Sequence, residues 1–328
     1  MAIAPLRRRS YRDRLTEPLP GPSQLYRLLR TGGFRGSSNG ADQLPLDMAG
    51  LPPLDRADTA SLTWIGHASF LIRLGGLAVL VDPVLSPTIP GVGRRLTPPG
   101  LDWEQLPRID AVVISHDHYD HLDAPTIRLL PRDTAMLVPV GLGQWFRRRR
   151  FTAVHEFDWW DSVRLGEVDF TFVPAHHWSR RGLFDTCRSL WGGWVLTGQD
   201  GTRLFHAGDS GYGHRFAELG ERLPGIDVAM LPIGAYDPRW FMRPMHMDPT
   251  EAVQALSDLG AQRLATMHWG TFVLTREPVL EPLERVRAAW ATTDRDRGDL
   301  WDMAVGQTRV LGRGRDPAAA VTAHVESS

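Results

Sequence analysis

Residues 115–121 read Ser-His-Asp-His-Tyr-Asp-His, and this stretch decides how the rest of the chain is interpreted. Five of its seven residues are potential metal ligands, because neutral imidazole suits zinc and carboxylate is a harder oxygen donor. The stretch follows residues 111–114, Ala-Val-Val-Ile, a short apolar run typical of a buried strand. A loop at the end of a strand can direct several side chains to one point, so these residues predict a metal site.

Further ligands must come from other parts of the chain, because one loop cannot enclose two metal ions. Four residues share the property that each closely follows a predicted strand: His176, His177, Asp209 and His268. The glycine before Asp209 allows the backbone to approach a site closely. Three other histidines lack such a context and are interpreted as surface or core residues: His155, His214 and His324. The remaining histidines outside the loop stay open candidates: His67, His206 and His246.

Short apolar runs alternate with helical patterns over most of the chain. Residues 62–74 predict a strand, Gly75 and Gly76 a two-residue turn, and residues 77–81 the returning strand of a hairpin. Further strands are expected at 111–114, 135–138, 169–173, 194–197, 203–206, 228–231 and 263–267, and helices at 124–130, 213–222, 249–259 and 278–290. The helix at 249–259 has a clear start signal, with Asp248 as N-cap, proline first and glutamate third. Two runs of strands with interspersed helices predict an α/β sandwich of two sheets flanked by helices.

Charge and composition exclude several classes of protein. Lys and Arg together number 37 and Asp and Glu 38, so the net charge of −1 lacks the basic excess of a nucleic-acid-binding protein. The single cysteine, Cys187, cannot form an intramolecular disulfide, which favours a reducing compartment. No run approaches the ~18–20 apolar residues of a membrane span, and the arginines at 7–9 precede no apolar segment typical of a secretory signal. We therefore expect a cytoplasmic protein.

The chain divides into three predicted parts. Residues 1–60, rich in Arg, Pro, Gly and Ser, predict an irregular N-terminal arm, residues 61–313 one folded domain, and residues 314–328 a C-terminal tail. Within the arm, residues 25–29 form a short amphipathic piece with Arg27 and Arg30. This piece either packs on the body or contacts the inner face of the membrane, with apolar residues inserted and arginines facing lipid phosphates.

The motifs resemble those of a known family. An H-x-H-x-D-H loop, a later His, a Gly-Asp after a strand and a last His are the ordered signature of the metallo-β-lactamase fold hydrolases. Over about residues 60–290 the chain is similar to the branch containing N-acylphosphatidylethanolamine-hydrolysing phospholipase D. The stretches that carry this similarity include W-I-G-H-A (64–68), W-G-G-W (191–194), I-G-A-Y-D-P-R-W-F-M (233–242) and H-W-G-T-F (268–272). The resemblance implies an αββα four-layer sandwich for residues 61–313.

The resemblance also implies two zinc ions per chain. Its first ion would be held by His116, His118 and His177, and its second by Asp120, His121 and His268, with Asp209 bridging. His177 is preferred to His176 because it directly precedes Trp178. The resemblance places His246 beside the substrate phosphate, and Asp120 and His246 are the expected catalytic residues. Tyr119, in the metal loop, and Trp240, in an aromatic cluster, either contact the substrate or pack within the protein. Asp82, at the end of the second hairpin strand, either orients a ligating imidazole or belongs to an ordinary Asp-Pro turn.

Such a centre implies hydrolysis without a protein nucleophile. Two zinc ions ~3.5–4 Å apart can share a hydroxide and stabilise the charge of a phosphoryl transition state. The implied reaction is cleavage of N-acylphosphatidylethanolamine to N-acylethanolamine and phosphatidic acid. A lactonase or other hydrolase of small esters or phosphoesters is the alternative within the fold, and a redox or binding metalloprotein is the alternative outside it. An apolar groove beside the metals would favour the lipid, and a small closed polar pocket the lactone. The expected partners are thus a phospholipid or small ester and a membrane surface, with no nucleic acid.

Overall fold

The computed structural model describes residues 10–53 and 60–311. The helices are α1 Pro22–Arg30, α2 Ala124–Leu129, α3 Gly143–Arg147, α4 Arg215–Arg222, α5 Arg239–Met242, α6 Pro249–Asp258 and α7 Glu281–Trp290. The strands are β1 Ser61–Gly66, β2 Ser69–Leu74, β3 Leu77–Val81, β4 Thr88–Ile89, β5 Gly93–Arg94, β6 Ala111–Val113, β7 Ala135–Pro139, β8 Val154–Phe157, β9 Ser162–Leu165, β10 Val168–Val173, β11 Gly193–Gly198, β12 Arg203–His206, β13 Val228–Pro232, β14 Arg263–Met267, β15 Leu300–Trp301 and β16 Thr308–Val310.

Two seven-stranded sheets form the centre of the fold. Their strand orders are β16-β1-β2-β3-β6-β7-β8 and β15-β14-β13-β12-β11-β10-β9, and β4 pairs with β5 in a separate ribbon. In the first sheet, the antiparallel strands β16, β1, β2 and β3 continue into the parallel strands β6, β7 and β8. The second sheet repeats this arrangement, with β9 to β12 antiparallel and β12 to β15 parallel.

Each sheet is covered by helices on the side away from the other sheet. Side chains alternate along β2, so Phe70 and Ile72 join the main core together with Trp194 of the second sheet, whereas Leu71 joins a second apolar cluster. That second cluster also contains residues of α2 and α3, and helices α4, α6 and α7 contribute to the core beside the second sheet. The predicted four-layer αββα sandwich is confirmed.

The prediction of one strand over residues 62–74 is wrong. The structure has two antiparallel strands there, β1 and β2, with His67 and Ala68 at the turn between them. Gly66 and His67 have φ values of 119° and 55°, which reverse the chain within two residues. Both faces of this sheet are buried, so hydrophobicity does not alternate along β1 and β2, and the local signal for the turn is the glycine at position 66.

Several element boundaries also differ from the prediction. The start of α6 is confirmed, because the Asp248 side chain accepts hydrogen bonds from the amides of Thr250 and Glu251. The last long helix begins at Glu281 instead of residue 278, and the sequence did not predict α3, α5, β4, β5, β8, β9, β15 or β16. Strands β8, β9, β15 and β16 lie at sheet edges, and β8 and β9 carry exposed polar residues, so their apolar signal is weak.

The described part of the arm packs on the sandwich. Tyr11, Leu28 and Leu44 are buried, and Leu46 bridges to Val305. The predicted tail at 314–328 lies outside the described residues. Within the described ranges, no helix is long and apolar enough to span a bilayer.

Candidate metal centre

The predicted ligands lie where strands of both sheets end. The loop at 115–121 follows β6, His177 follows β10, Asp209 follows β12 and His268 follows β14. Face-to-face packing of the sheets places these strand ends at one edge of the sandwich. The potential ligand atoms there fall into overlapping groups, within each of which the atoms lie at most 4.8 Å apart.

The first group consists of His116, His118, His177 and Asp209. His118 Nδ1 lies 2.9 Å from His116 Nε2 and 3.2 Å from His177 Nε2. Asp209 Oδ2 lies 3.8 Å from His116 Nε2 and 3.7 Å from His177 Nε2. Three imidazole nitrogens and one carboxylate oxygen therefore converge on one point.

The second group contains Asp120, His121 and His268, together with His67. The other oxygen of the Asp209 carboxylate, Oδ1, faces this group, at 3.2 Å from His121 Nε2 and 3.0 Å from His268 Nε2. The two oxygens of Asp209 thus face two different groups, which is the arrangement expected of a bridging carboxylate.

The donor atoms fit a pair of metal ions. His121 Nε2, His268 Nε2 and Asp209 Oδ1 are buried, and none has a hydrogen-bond partner of acceptable geometry among the described residues. Buried polar atoms are normally paired, and metal coordination would satisfy all three. Five imidazoles and two carboxylates are the ligand types that zinc and related transition metals use.

Neighbouring side chains orient the ligands. Asp82 Oδ2 lies 2.7 Å from His121 Nδ1, and Asp82 also accepts hydrogen bonds from the amide and hydroxyl of Ser115. The Met245 carbonyl lies 3.1 Å from His177 Nδ1. These contacts place the imidazole proton on Nδ1 and leave Nε2 free to coordinate. Asp82 therefore contacts a predicted ligand, which is one of the two roles expected from the sequence.

Asp117, one of the possible ligands in the loop, turns away from both groups. Its Oδ2 accepts a hydrogen bond from the Ser189 hydroxyl at 2.8 Å. Asp117 therefore links the metal loop to Ser189 and does not belong to the ligand groups.

Electrostatics within the centre favour bound cations. Burial lowers the pKa of His116 and His177 well below the usual range, so both imidazoles are neutral and able to coordinate near pH 7. Burial alone would raise the pKa of Asp209, but His121 and His268 hold it well below its usual range. Burial has the opposite effect on a histidine and alone would lower the pKa of His268, but the Asp209 and Asp120 carboxylates raise it to about 9. Burial would also raise the pKa of Asp120, but His121, His268 and His67 hold it well below its usual range, so both carboxylates remain ionised and attract positive charge.

His246 lies beside both groups. Its Nε2 is 4.0 Å from Asp209 Oδ2, and its ring centroid is 5.1 Å from that of His177. Burial lowers the pKa of His246 to about 4, so its imidazole is neutral near pH 7. The Nδ1 atom is buried and has no hydrogen-bond partner among the described residues.

The other predicted contact residues differ in position. Tyr119 is half-buried in the metal loop, and the Arg181 guanidinium lies 4.1 Å from its ring centroid. The structure does not bring Trp240 to this centre. Instead, Trp240 stacks against Arg27 and lines a separate cavity of about 500 Å³ next to His176.

The sequence gives His67 no assigned role, and the structure places it in the second group. Its Nε2 lies 3.0 Å from Asp120 Oδ2. The W-I-G-H-A stretch was the available signal, but its distance of 53 residues from Asp120 gave no indication of contact.

A protein-family model described as the beta-lactamase superfamily domain matches residues 78–269 of this chain. The chain is 35% identical over 267 residues to N-acyl-phosphatidylethanolamine-hydrolyzing phospholipase D 1 of Caenorhabditis elegans, covering 73% of this chain and 75% of that protein. It is 31% identical over 268 residues to a metal-dependent hydrolase of Nitratidesulfovibrio vulgaris, covering 79% of this chain and 98% of the relative.

Solved structures show the same fold. Igni18, a metallo hydrolase of the archaeon Ignicoccus hospitalis, superposes with a TM-score of 0.58 at 24% sequence identity. The match covers 77% of this chain and 99% of Igni18.

Proposed function

This chain belongs to the beta-lactamase superfamily and is a metal-dependent hydrolase, and we propose that it is a phospholipase D-type phosphodiesterase with two zinc ions. In this proposal it hydrolyses N-acylphosphatidylethanolamine to N-acylethanolamine and phosphatidic acid. The similarity to the C. elegans enzyme, which extends over about three quarters of both chains, supports this reaction. The alternative is a lactonase or another small-ester hydrolase of the same fold, and a panel of substrates distinguishes the two functions.

The observation that carries the proposal is an open cleft of about 670 Å³ beside the metal centre. It reaches two predicted metal ligands, His118 and Asp120. Other residues lining this cleft are Pro90, Val92, Tyr119, Trp178, Arg180, Arg181 and Leu183. Apolar surface next to cationic side chains suits a molecule that carries acyl chains close to a phosphate.

The rim of this cleft exposes large apolar side chains. Leu183 is 77% exposed and Phe184 91% exposed, whereas side chains of this type are usually withdrawn from water. Arg180 and Arg181 precede them in the same loop. Apolar residues beside arginines at the mouth of a cleft favour a substrate held in a lipid surface over a small soluble lactone.

Different residues have different roles in the proposed reaction: some would hold the metal ions, and His246 would orient the substrate. When bound, the two ions supply an activated water and withdraw charge from a phosphoryl oxygen. His116, His118 and His177 would hold one ion and Asp120, His121 and His268 the other, with the Asp209 carboxylate facing both groups. Because His246 is neutral and its Nδ1 has no hydrogen-bond partner among the described residues, this imidazole can donate a hydrogen bond that would orient the substrate phosphate.

The test is turnover of a substrate panel by purified protein whose metal content has been measured. We expect N-acylethanolamine and phosphatidic acid from N-acylphosphatidylethanolamine, loss of this activity with a chelator, and recovery with zinc. Manganese and iron(II) serve as parallel additions, since imidazole and carboxylate also bind these metals. Turnover of lactones or soluble esters without turnover of the lipid would contradict the proposed substrate.

We further propose that α1 contacts the membrane. Leu25, Tyr26 and Leu29 are 47%, 62% and 74% exposed, and Leu28 is buried against the body. Insertion of apolar side chains into a bilayer is favourable by ~0.8 kcal/mol per methylene. The double variant Leu25→Ser/Leu29→Ser should therefore lower turnover on vesicles at least tenfold and leave hydrolysis of a short-chain soluble phosphodiester nearly unchanged.

Substitution is a sharper test here than deletion of the arm. Deletion of residues 1–30 would also remove Tyr11 and Leu28 from the core. Leu129→Ser is the matched control, because this leucine of α2 is 50% exposed. An equal loss on both substrates would indicate a structural role for α1. If turnover on vesicles falls in Leu183→Ser/Phe184→Ser and not in the α1 variant, the membrane contact lies at the rim of the cleft.

A further inference from the structure

His67 is fixed in place by its main chain. It lies at the turn between β1 and β2 with a φ of 55°, a left-handed conformation that non-glycine residues seldom adopt. The His67 amide donates a hydrogen bond to the Thr271 hydroxyl at 2.6 Å. Its carbonyl accepts hydrogen bonds from the His268 amide at 3.0 Å and from the Trp64 indole at 2.8 Å. The turn is thus tied directly to the backbone of a predicted ligand.

The side chain of His67 reaches a second ligand. It is 1% exposed, and its Nε2 lies 3.0 Å from Asp120 Oδ2. Its ring centroid is 4.0 Å from that of His268, and the ring of Phe272 packs edge-on at 5.3 Å. These contacts leave the imidazole little freedom to rotate away from Asp120.

The contacts of His67 differ from those of the predicted ligands. Four histidines approach the Asp209 carboxylate to within 3.0–3.8 Å: His116, His121, His177 and His268. The carboxylate that His67 contacts is Asp120. Its Nε2 therefore points at a ligand, as expected of a residue that acts through another side chain.

We propose that His67 is a positioning residue for the second metal ion, donating from Nε2 to the Asp120 carboxylate while its carbonyl holds the backbone of His268. In this role His67 positions two ligands of the second ion, Asp120 and His268. It contacts none of the three imidazoles that would hold the first ion. This inference rests on the proposed two-metal centre. Partners of this kind change metal affinity by about 10–100-fold in other metalloproteins.

Two substitutions separate the hydrogen bond from the turn. His67→Asn keeps a residue that tolerates the left-handed conformation, but its side chain is too short to reach Asp120. His67→Gln places an amide nitrogen at the distance of Nε2 and can restore the donor. The control is His176→Asn, which changes a histidine of similar burial outside the ligand groups.

The readouts are metal ions per chain during chelator titration, thermal unfolding, and kcat with KM. We expect His67→Asn to release one of two ions at a chelator concentration at least tenfold lower than the wild type, with its other ion retained as in the wild type. His67→Gln should recover most of this difference, and His176→Asn should retain both ions. The apoprotein melting temperatures of His67→Asn and His67→Gln should agree with each other.

Two outcomes would contradict the positioning role of His67, and a third would contradict the two-metal centre. Wild-type chelator resistance in His67→Asn would overturn the positioning role. Equal damage in His67→Asn and His67→Gln would show that the imidazole is needed for another reason, which also overturns it. A wild-type protein that binds fewer than two ions would instead contradict the two-metal centre of the proposed function.

Discussion

Replacement of Asp209 by alanine is expected to lower the bound metal from two ions per chain to one or none. Its Oδ2 faces the imidazoles of His116 and His177, and its Oδ1 faces those of His121 and His268. Removal of this carboxylate takes an oxygen ligand and a negative charge from both groups at once. Hydrolysis should fall by several orders of magnitude, and elemental analysis of the purified variant measures the metal directly.

The control for this experiment is Asp117→Asn. Asp117 is also a buried aspartate near the centre, but its carboxylate accepts a hydrogen bond from Ser189 and joins neither ligand group. We expect this variant to retain both ions. Two tightly bound ions in Asp209→Ala would show that Asp209 does not bridge, and the ligand assignment would have to be revised.

Local sequence was sufficient to predict the elements that carry the ligands. The apolar run before residue 115 marks the end of β6, and the polar loop after it can only be placed at an edge of the sheet. The start of α6 is also local, because the Asp248 side chain accepts hydrogen bonds from the amides of Thr250 and Glu251, and Pro249 has no amide proton to satisfy. Such signals depend on neighbouring residues alone, and the sequence contains them in full.

Contacts between distant segments could not be predicted in this way. The bond between His67 and Asp120 joins residues 53 positions apart, and the pair of His121 with Asp82 spans 39. The turn at His67 joins two strands that are buried on both faces, so no change of period marks it, and Gly66 is the local signal that the sequence offers. The position of Trp240 likewise depends on how α1 packs, because Arg27 covers its ring.

Loss of the His177 imidazole should reduce hydrolysis by several orders of magnitude, whereas loss of its neighbour His176 should cost far less. His177 Nε2 lies 3.2 Å from His118 Nδ1 and 3.7 Å from Asp209 Oδ2. His177→Ala therefore removes one of the three imidazoles of the first group. We expect this variant to retain one ion and His176→Ala to retain two, measured as metal per chain beside kcat.

The two histidines form a matched pair, because burial cannot explain a difference between them. His176 is 5% exposed and His177 4% exposed. The chain bends at His176, whose ring lies 5.5 Å from that of His214 and outside the ligand groups. A larger loss of activity and metal in His176→Ala than in His177→Ala would transfer the ligand role to His176. Equal losses in both would mean that the strand end, and not one imidazole, is what the metal centre requires.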